Sequence, residues 1–204
     1  MNALYNREET AKEKGAESGN EQLMLMQKFL NTRQIILSGE VNKELAEKII
    51  RQLLILEADS SSKPIYLYID SPGGDADAGF AIFDMIRFIK PPVYTVGMGL
   101  VASAGALILL AAPQNRRLGL PNSHYLIHQP LSGIKGVATD IEIHAKEIEK
   151  MRTKINMLIA AETGKQEGEV AKDTDRDYWL NAEEAAEYGL IASVVQNRSE
   201  LPKK

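Results

Sequence analysis

Residues 65–74 read Ile-Tyr-Leu-Tyr-Ile-Asp-Ser-Pro-Gly-Gly, and these positions decide the fold. The alternation puts Ile65, Leu67 and Ile69 on one face of a strand and Tyr66 and Tyr68 on the other. Pro72 has no N–H to give a ladder, and two glycines follow, so Ser71 to Gly74 is a turn. Asp77 to Ile89 then reads as a helix. The same unit recurs on both sides. Upstream, Gln34 to Val41 is a strand with a glycine turn, and Lys43 to Ala58 a helix with Leu45, Ile49, Leu53 and Leu56 on one face. Asn42 is its expected N-cap. Downstream, a strand begins at Val93, turns through Gly97 and Gly99, and enters a helix near Ser103. The strand starts Ile35, Ile65 and Val93 lie 30 and 28 residues apart. That spacing predicts an α/β protein of stacked strand–turn–helix units rather than one continuous sheet.

The rest of the chain is organised around this centre. Residues 1–20 are polar and aperiodic, an expected mobile arm ahead of one folded domain over 21–196. Short strands are expected at Arg117 to Leu120 and Ser123 to His128. A long amphipathic helix, Thr139 to Ala161, carries the stripe Ile141, Ala145, Ile148, Met151, Ile155 and Leu158, which needs a partner, either the body or another subunit. A helix over Ala182 to Tyr188 stops at Gly189, a left-handed cap residue, before a last strand and a polar tail over 197–204.

Composition removes several function classes. The chain has 204 residues, 44% apolar and 25% charged, with a net charge of −4, so no basic excess argues for nucleic acid. There is no cysteine, which excludes disulfides and thiolate chemistry. Only His124, His128 and His144 could offer imidazole, and no metal or organic cofactor is expected. The N-terminus has no apolar core for a secretory signal, and the run Ala104 to Ala112 is about half a membrane span. A soluble cytoplasmic protein is expected.

Without cysteine, a nucleophile must be Ser, Thr or Lys. Ser103 follows a strand and opens an apolar helix, where backbone N–H groups point outward; it could equally be only the cap of that helix. His128 ends an alternating strand ahead of a Pro-Gly loop, a place where sites are built, or it is a surface histidine. His124 shares its strand, and His144 sits between Asp140 and Glu147 on a solvated helix flank. The Gly-x-Ser-x-Gly elbow is half present, since Gly105 fits and Val101 does not. The acids Asp173, Asp175 and Asp177 precede Tyr178 and Trp179, the only tryptophan, expected to be anchored.

These segments together resemble one family. Ser71-Pro-Gly-Gly74, the run from Met98 to Ala112, Leu120 to Pro130, Ala138 to Ile148 and the acids of 173–177 occur in the order and spacing of the Clp protease proteolytic subunits, over about residues 29–196. The resemblance implies a crotonase-like superhelix of stacked strand–strand–helix units, with the long helix as a protruding handle (about 129–161). It implies a serine endopeptidase in which Ser103 is the nucleophile, His128 the base and Asp177 the acid. The N–H groups of Gly74 and Ala104 would form the oxyanion hole, and Asp175 and Arg176 an oligomer contact. Tyr66, Tyr68 and Phe88 would dock a hexameric AAA+ unfoldase ATPase. The assembly implied is two stacked heptameric rings, of this chain alone or mixed with a paralogue, acting on unfolded polypeptides away from membranes and nucleic acid. The alternatives are a structural or weakly active ring subunit that needs an active relative, and a crotonase-type acyl-CoA enzyme. Two stretches depart from the family pattern. Gly99 to Gly105 has Leu100, Val101 and Ala104 where the family usually has Gln, Ala and Met, and 23–26 read Leu-Met-Leu-Met in place of a Tyr-Asp-Ile-Tyr-like segment.

Overall fold

The computed structural model describes residues 24–201, so the arm expected over 1–20 lies outside the described residues. Two compact units are distinguished, Met1–Gln34 and Ile35–Lys204. In the first, 24–31 form a helix.

The second unit is α/β. Its strands are β1 (Gln34–Ser38), β2 (Ile65–Ser71), β3 (Val93–Ala102), β4 (Arg117–Gly119), β5 (His124–Ile127), β6 (Tyr178–Leu180) and β7 (Ser193–Val194). Its helices are α1 (Lys43–Asp59), α2 (Ala76–Phe88), α3 (Ala104–Leu109), α4 (Ala138–Thr163), α5 (Glu167–Asp173) and α6 (Ala182–Tyr188). The repeat expected from the sequence is present, but its strands join in one sheet of order β1-β2-β3-β4-β7, with β5 and β6 branching from β3. The branch arises because β3 is ten residues long and its partners are short. Thr95 to Gly97 pair with β4, and Leu100 to Ala102 pair with β5. β2–β3, β3–β4, β3–β5 and β4–β7 pair in parallel, and β5 pairs antiparallel with β6.

Gly97 and Gly99 do not form the expected turn; both lie inside β3. Gly97 pairs with Gly119, and a Cβ on either would fall within 2.5 Å of the Tyr125 hydroxyl. The two glycines thus make room for the fully buried Tyr125 ring. Burial pushes the Tyr125 hydroxyl up to about 12. Gly99 marks a bulge, where Asp70 alone faces 98–100 and accepts from the Leu100 N–H at 3.1 Å. The φ of +56° at Gly99 suits glycine.

Most of the core lies where the periodicity placed it. Ile65, Leu67 and Ile69 are 0% exposed, and Ile49, Leu53 and Leu56 of α1 are buried; Leu45 is only half-buried, and Ala46 takes the inward place in that turn. Each large aliphatic side chain so buried contributes about 1.5–3 kcal/mol. Asn42 caps α1 through the Leu45 N–H at 2.9 Å, and Gly189 ends α6 in the left-handed region. The other sheet face carries a small cluster of Tyr66, Val96, Leu118 and Val195, against which Tyr68, Tyr94, Leu120 and Leu201 pack.

Helix α4 has 26 residues, roughly 39 Å at 1.5 Å per residue. Only its C-terminal half packs, through Ile155, Asn156, Ile159 and Ala160. Ile141 and Ile143 remain exposed. The packed end is held by Glu162. Its carboxylate pairs with the fully buried Arg117 and with Arg87. Arg117 also donates from Nε to the Ala112 carbonyl at 2.7 Å, and Arg87 from Nε to Ala111 at 3.2 Å. The apolar segment that follows Ser103 is therefore tied to the root of α4. Among the described residues, no helix is long and apolar enough to cross a membrane.

Candidate functional site

Strand register assembles the site. Ala102 pairs with Leu126 in the parallel β3–β5 pair, and the Ser103 N–H donates to the Leu126 carbonyl at 2.9 Å. Ser103 and His128 therefore leave neighbouring strands at the same end. In the antiparallel β5–β6 pair Ile127 faces Tyr178, so the next step outward sets His128 beside Asp177. His128 Nδ1 lies 3.0 Å from Asp177 Oδ1. Three residues spread over 74 positions of sequence, from Ser103 to Asp177, are thus joined by two local pairings.

Ser103 occupies the N-cap position of α3 but makes no capping hydrogen bond. Its hydroxyl is not used for the role that the sequence left open. Its backbone has φ +54° and ψ −119°, a conformation that costs an L-residue about 1–3 kcal/mol. The surroundings enforce it. A Cβ on Gly73 would lie 2.6 Å from Ser103 Cβ and 3.0 Å from the Ala104 nitrogen. Gly79 similarly lets α2 approach Ala104 closely, and Gly105 lets α3 approach Ser71. Ser71 fixes the turn by donating from its hydroxyl to the Gly39 carbonyl at 2.6 Å and accepting from the Gly73 N–H at 3.1 Å.

A cavity of about 430 Å³ is lined by Ser103, His128, Gly74 and Ala104 together. Its apolar wall includes Leu107, Leu110, Ile127, Ile155 and Ile159. Gly74 bridges to Val41 through its neighbours: Val41 N–H donates to Gly73 O at 2.7 Å, and Asp75 N–H to Val41 O at 2.8 Å. The Gly74 N–H is left on the other edge of that bridge. Ala104 opens α3, so its N–H has no acceptor within the helix. The arrangement offers a strained hydroxyl, an imidazole oriented through Nδ1, and two backbone donors around one apolar cavity.

The Asp177 loop is fixed from two sides. The Gln129 N–H and Nε2 donate to the Thr174 and Asp175 carbonyls at 2.7 and 2.6 Å. The buried Thr174 hydroxyl donates to Asn156 Oδ1 of α4 at 2.8 Å. The Asp177 side chain is 61% exposed and that of His128 14%. Asp175 and Arg176 stand exposed on the same loop, with Asp175 Oδ1 3.2 Å from Arg152 of α4.

The other expected site residues lie elsewhere. Tyr66 and Tyr68 face away from the aliphatic layer, but Tyr66 is not an exposed aromatic. It is 7% exposed, stacked on Tyr94 at 5.2 Å between ring centroids. It belongs to the cluster with Val96, Leu118 and Val195. Tyr68 is half-buried beside Leu120, Val195 and Leu201. Phe88, at the end of α2, is 78% exposed. Trp179 is 56% exposed rather than anchored, because Leu180 takes the inward position of the short β6. His124 is exposed, and His144 meets Ser132 at 2.8 Å, both outside the cavity. Sequence reasoning missed Asp75, Ile155 and Ile159 as cavity-lining residues; Asp75 adjoins Gly74 and Ile155 belongs to the expected α4 stripe, but Ile159, one position beyond Leu158, lies outside that stripe.

Comparisons with known proteins agree with this architecture. A family model described as Clp protease matches residues 17–198. The chain is 75% identical over 185 residues to ATP-dependent Clp protease proteolytic subunit 2 of Treponema denticola, covering 91% of this chain and 92% of that protein. It is 64% identical over 196 residues to the protein of that name from Treponema pallidum, covering 96% and 98%. A solved structure of a ClpP1 mutant from Listeria monocytogenes superimposes with a TM-score of 0.82 at 49% identity, over 87% of this chain and 99% of that one. With the family model spanning nearly all of the folded chain, this protein belongs to the Clp protease family.

Proposed function

We propose that the chain is a serine endopeptidase subunit that cuts unfolded polypeptides inside a closed chamber. The Ser103 hydroxyl attacks the peptide carbonyl carbon while His128 takes its proton. The carbonyl oxygen, now negative, lies between the Gly74 and Ala104 N–H groups. The protonated His128 gives its proton to the leaving amine, the C–N bond breaks, and an acyl ester on Ser103 remains. Water, deprotonated by His128, then attacks the ester, releases the acid and restores the hydroxyl. Asp177 holds His128 in the tautomer with hydrogen on Nδ1, supported by the 3.0 Å contact.

The observation that carries this reading is Ser103 itself, held at φ +54° at a helix start where its hydroxyl caps nothing. Backbone strain kept at one polar residue in a cavity is a mark of a working site. Ser103→Ala should lower peptide hydrolysis by about 10⁴-fold or more. A residual rate within tenfold of the parent would refute the assignment.

The assembly we propose is two stacked heptameric rings joined along α4, of this chain alone or with a paralogue. The unpacked half of α4, with Ile141 and Ile143 exposed, supports a partner there. Asp175 and Arg176 would meet the opposite ring, and contact there would cover the exposed Asp177. A hexameric ATPase would dock near Phe88 and Tyr68 and feed unfolded chains inward. The location we propose is the cytoplasm.

A further inference from the structure

Among the described residues, Asp75 is the one carboxylate lining the cavity that holds Ser103 and His128, and no lysine or arginine lines it. We propose that Asp75 makes a cationic subsite beside Ser103, favouring cleavage where a lysine or arginine lies within two residues of the scissile bond. The proposal rests on the peptidase reading above.

The position of Asp75 is set by backbone on both sides. Its N–H donates to the Val41 carbonyl at 2.8 Å, and its carbonyl accepts from the Gly79 N–H at 3.0 Å. Its Oδ1 accepts from the Ala78 N–H at 2.7 Å, which caps α2. One carboxylate oxygen is thereby used, and Oδ2 has no partner among the described residues. The cap does not explain the charge, since Asn and Ser cap helices as well as Asp does.

Asp75 directly follows Gly74, whose N–H is the assigned oxyanion donor. An extended substrate advances about 3.3 Å per residue, so side chains next to the scissile bond come within reach of the carboxylate. Apart from Ser103 and His128, the other lining side chains are apolar, including Leu107, Leu110, Ile155 and Ile159. A basic side chain matches both parts: its methylene stem lies along the apolar wall and its charged end meets Asp75. An acidic side chain at the same place is repelled. Asp75 is exposed and the α2 N-terminus offsets part of its charge, so the preference is moderate.

The test is a set of fluorogenic peptides that carry arginine or its neutral isostere citrulline at each position around the cleaved bond. Hydrolysis is measured with the assembled parent protein and with Asp75→Asn, which keeps the cap. The readout is the arginine-to-citrulline ratio of kcat/KM, which loss of folding does not imitate. At low salt the parent should favour arginine roughly two- to fivefold at one or two positions, as for an exposed charge pair. The ratio should fall to near one in Asp75→Asn, and also in the parent at 1 M salt, where screening reaches about 3 Å. Asp75→Ser, a second neutral cap, should behave like Asp75→Asn. A ratio of one in the parent at every position, or an equal ratio in parent and variants, would overturn the subsite. If no peptide is cut and Ser103 does not react with an acylating probe, the peptidase reading itself fails, and the subsite with it.

Discussion

Gly73 packs against Ser103 so closely that a Cβ on the glycine would lie 2.6 Å from the serine Cβ. Gly73 also has φ +92°, where an L side chain is strained. Gly73→Ala should therefore cost about 1–3 kcal/mol and displace the hydroxyl. Hydrolysis should fall by at least 10²-fold while the protein stays folded, because a misplacement of about 1 Å costs that much. Peptidase assays beside thermal melts check this; a parent-like rate would show that the Gly73 turn does not position Ser103.

Glu162 holds the root of α4 through the buried Arg117. Burial lowers the Arg117 pKa from its ordinary value, and the Glu162 carboxylate works in the opposite direction. Glu162→Gln leaves a buried guanidinium short of its counter-charge and should cost about 3 kcal/mol. Ile155 and Ile159 line the cavity from the same helix, so activity should fall as well. Denaturant unfolding measures the first effect. An unchanged midpoint would contradict the pairing.

Arg176 stands next to Asp177 on the loop assigned to the ring–ring contact. Arg176→Glu should leave single rings or smaller species in sedimentation, with reduced hydrolysis. A fully active monomer would break the link between assembly and chemistry.

Docking variants have to respect burial. Tyr66→Ala removes a core ring and should destabilise the fold by about 3 kcal/mol, the usual cost of a buried aromatic. Phe88→Ser changes a side chain that is 78% exposed and should leave stability within about 0.5 kcal/mol. It should keep small-peptide hydrolysis and lose most ATP-driven digestion of folded proteins. Equal ATP-driven rates in parent and Phe88→Ser would remove Phe88 from the docking surface.

The parts of the fold legible in the sequence were those set by local rules. Asn42 caps α1, Gly189 ends α6, and the alternation from Ile65 to Ile69 buries the aliphatics. What local rules do not set was not legible. Helix α5 and strand β6 are short, and their burial comes through single residues such as Val170 and Leu180. The continuous sheet follows from the length of β3, which repeat spacing does not report. Ser103 and His128 stood out by context. Asp177 did not, because its place opposite His128 depends on an antiparallel pairing of Ile127 with Tyr178, far apart in the chain. Gly97 looked like a turn because the Tyr125 ring that fills its space is far along the chain.

The central claim is that the Ser103 hydroxyl is the nucleophile. The most direct measurement is to treat the assembled protein with a serine-reactive acylating probe and map the adduct by mass spectrometry. One adduct per subunit is predicted, on Ser103, absent from Ser103→Ala and lost together with peptide hydrolysis. Labelling of another residue, or labelling that persists in Ser103→Ala, would contradict it.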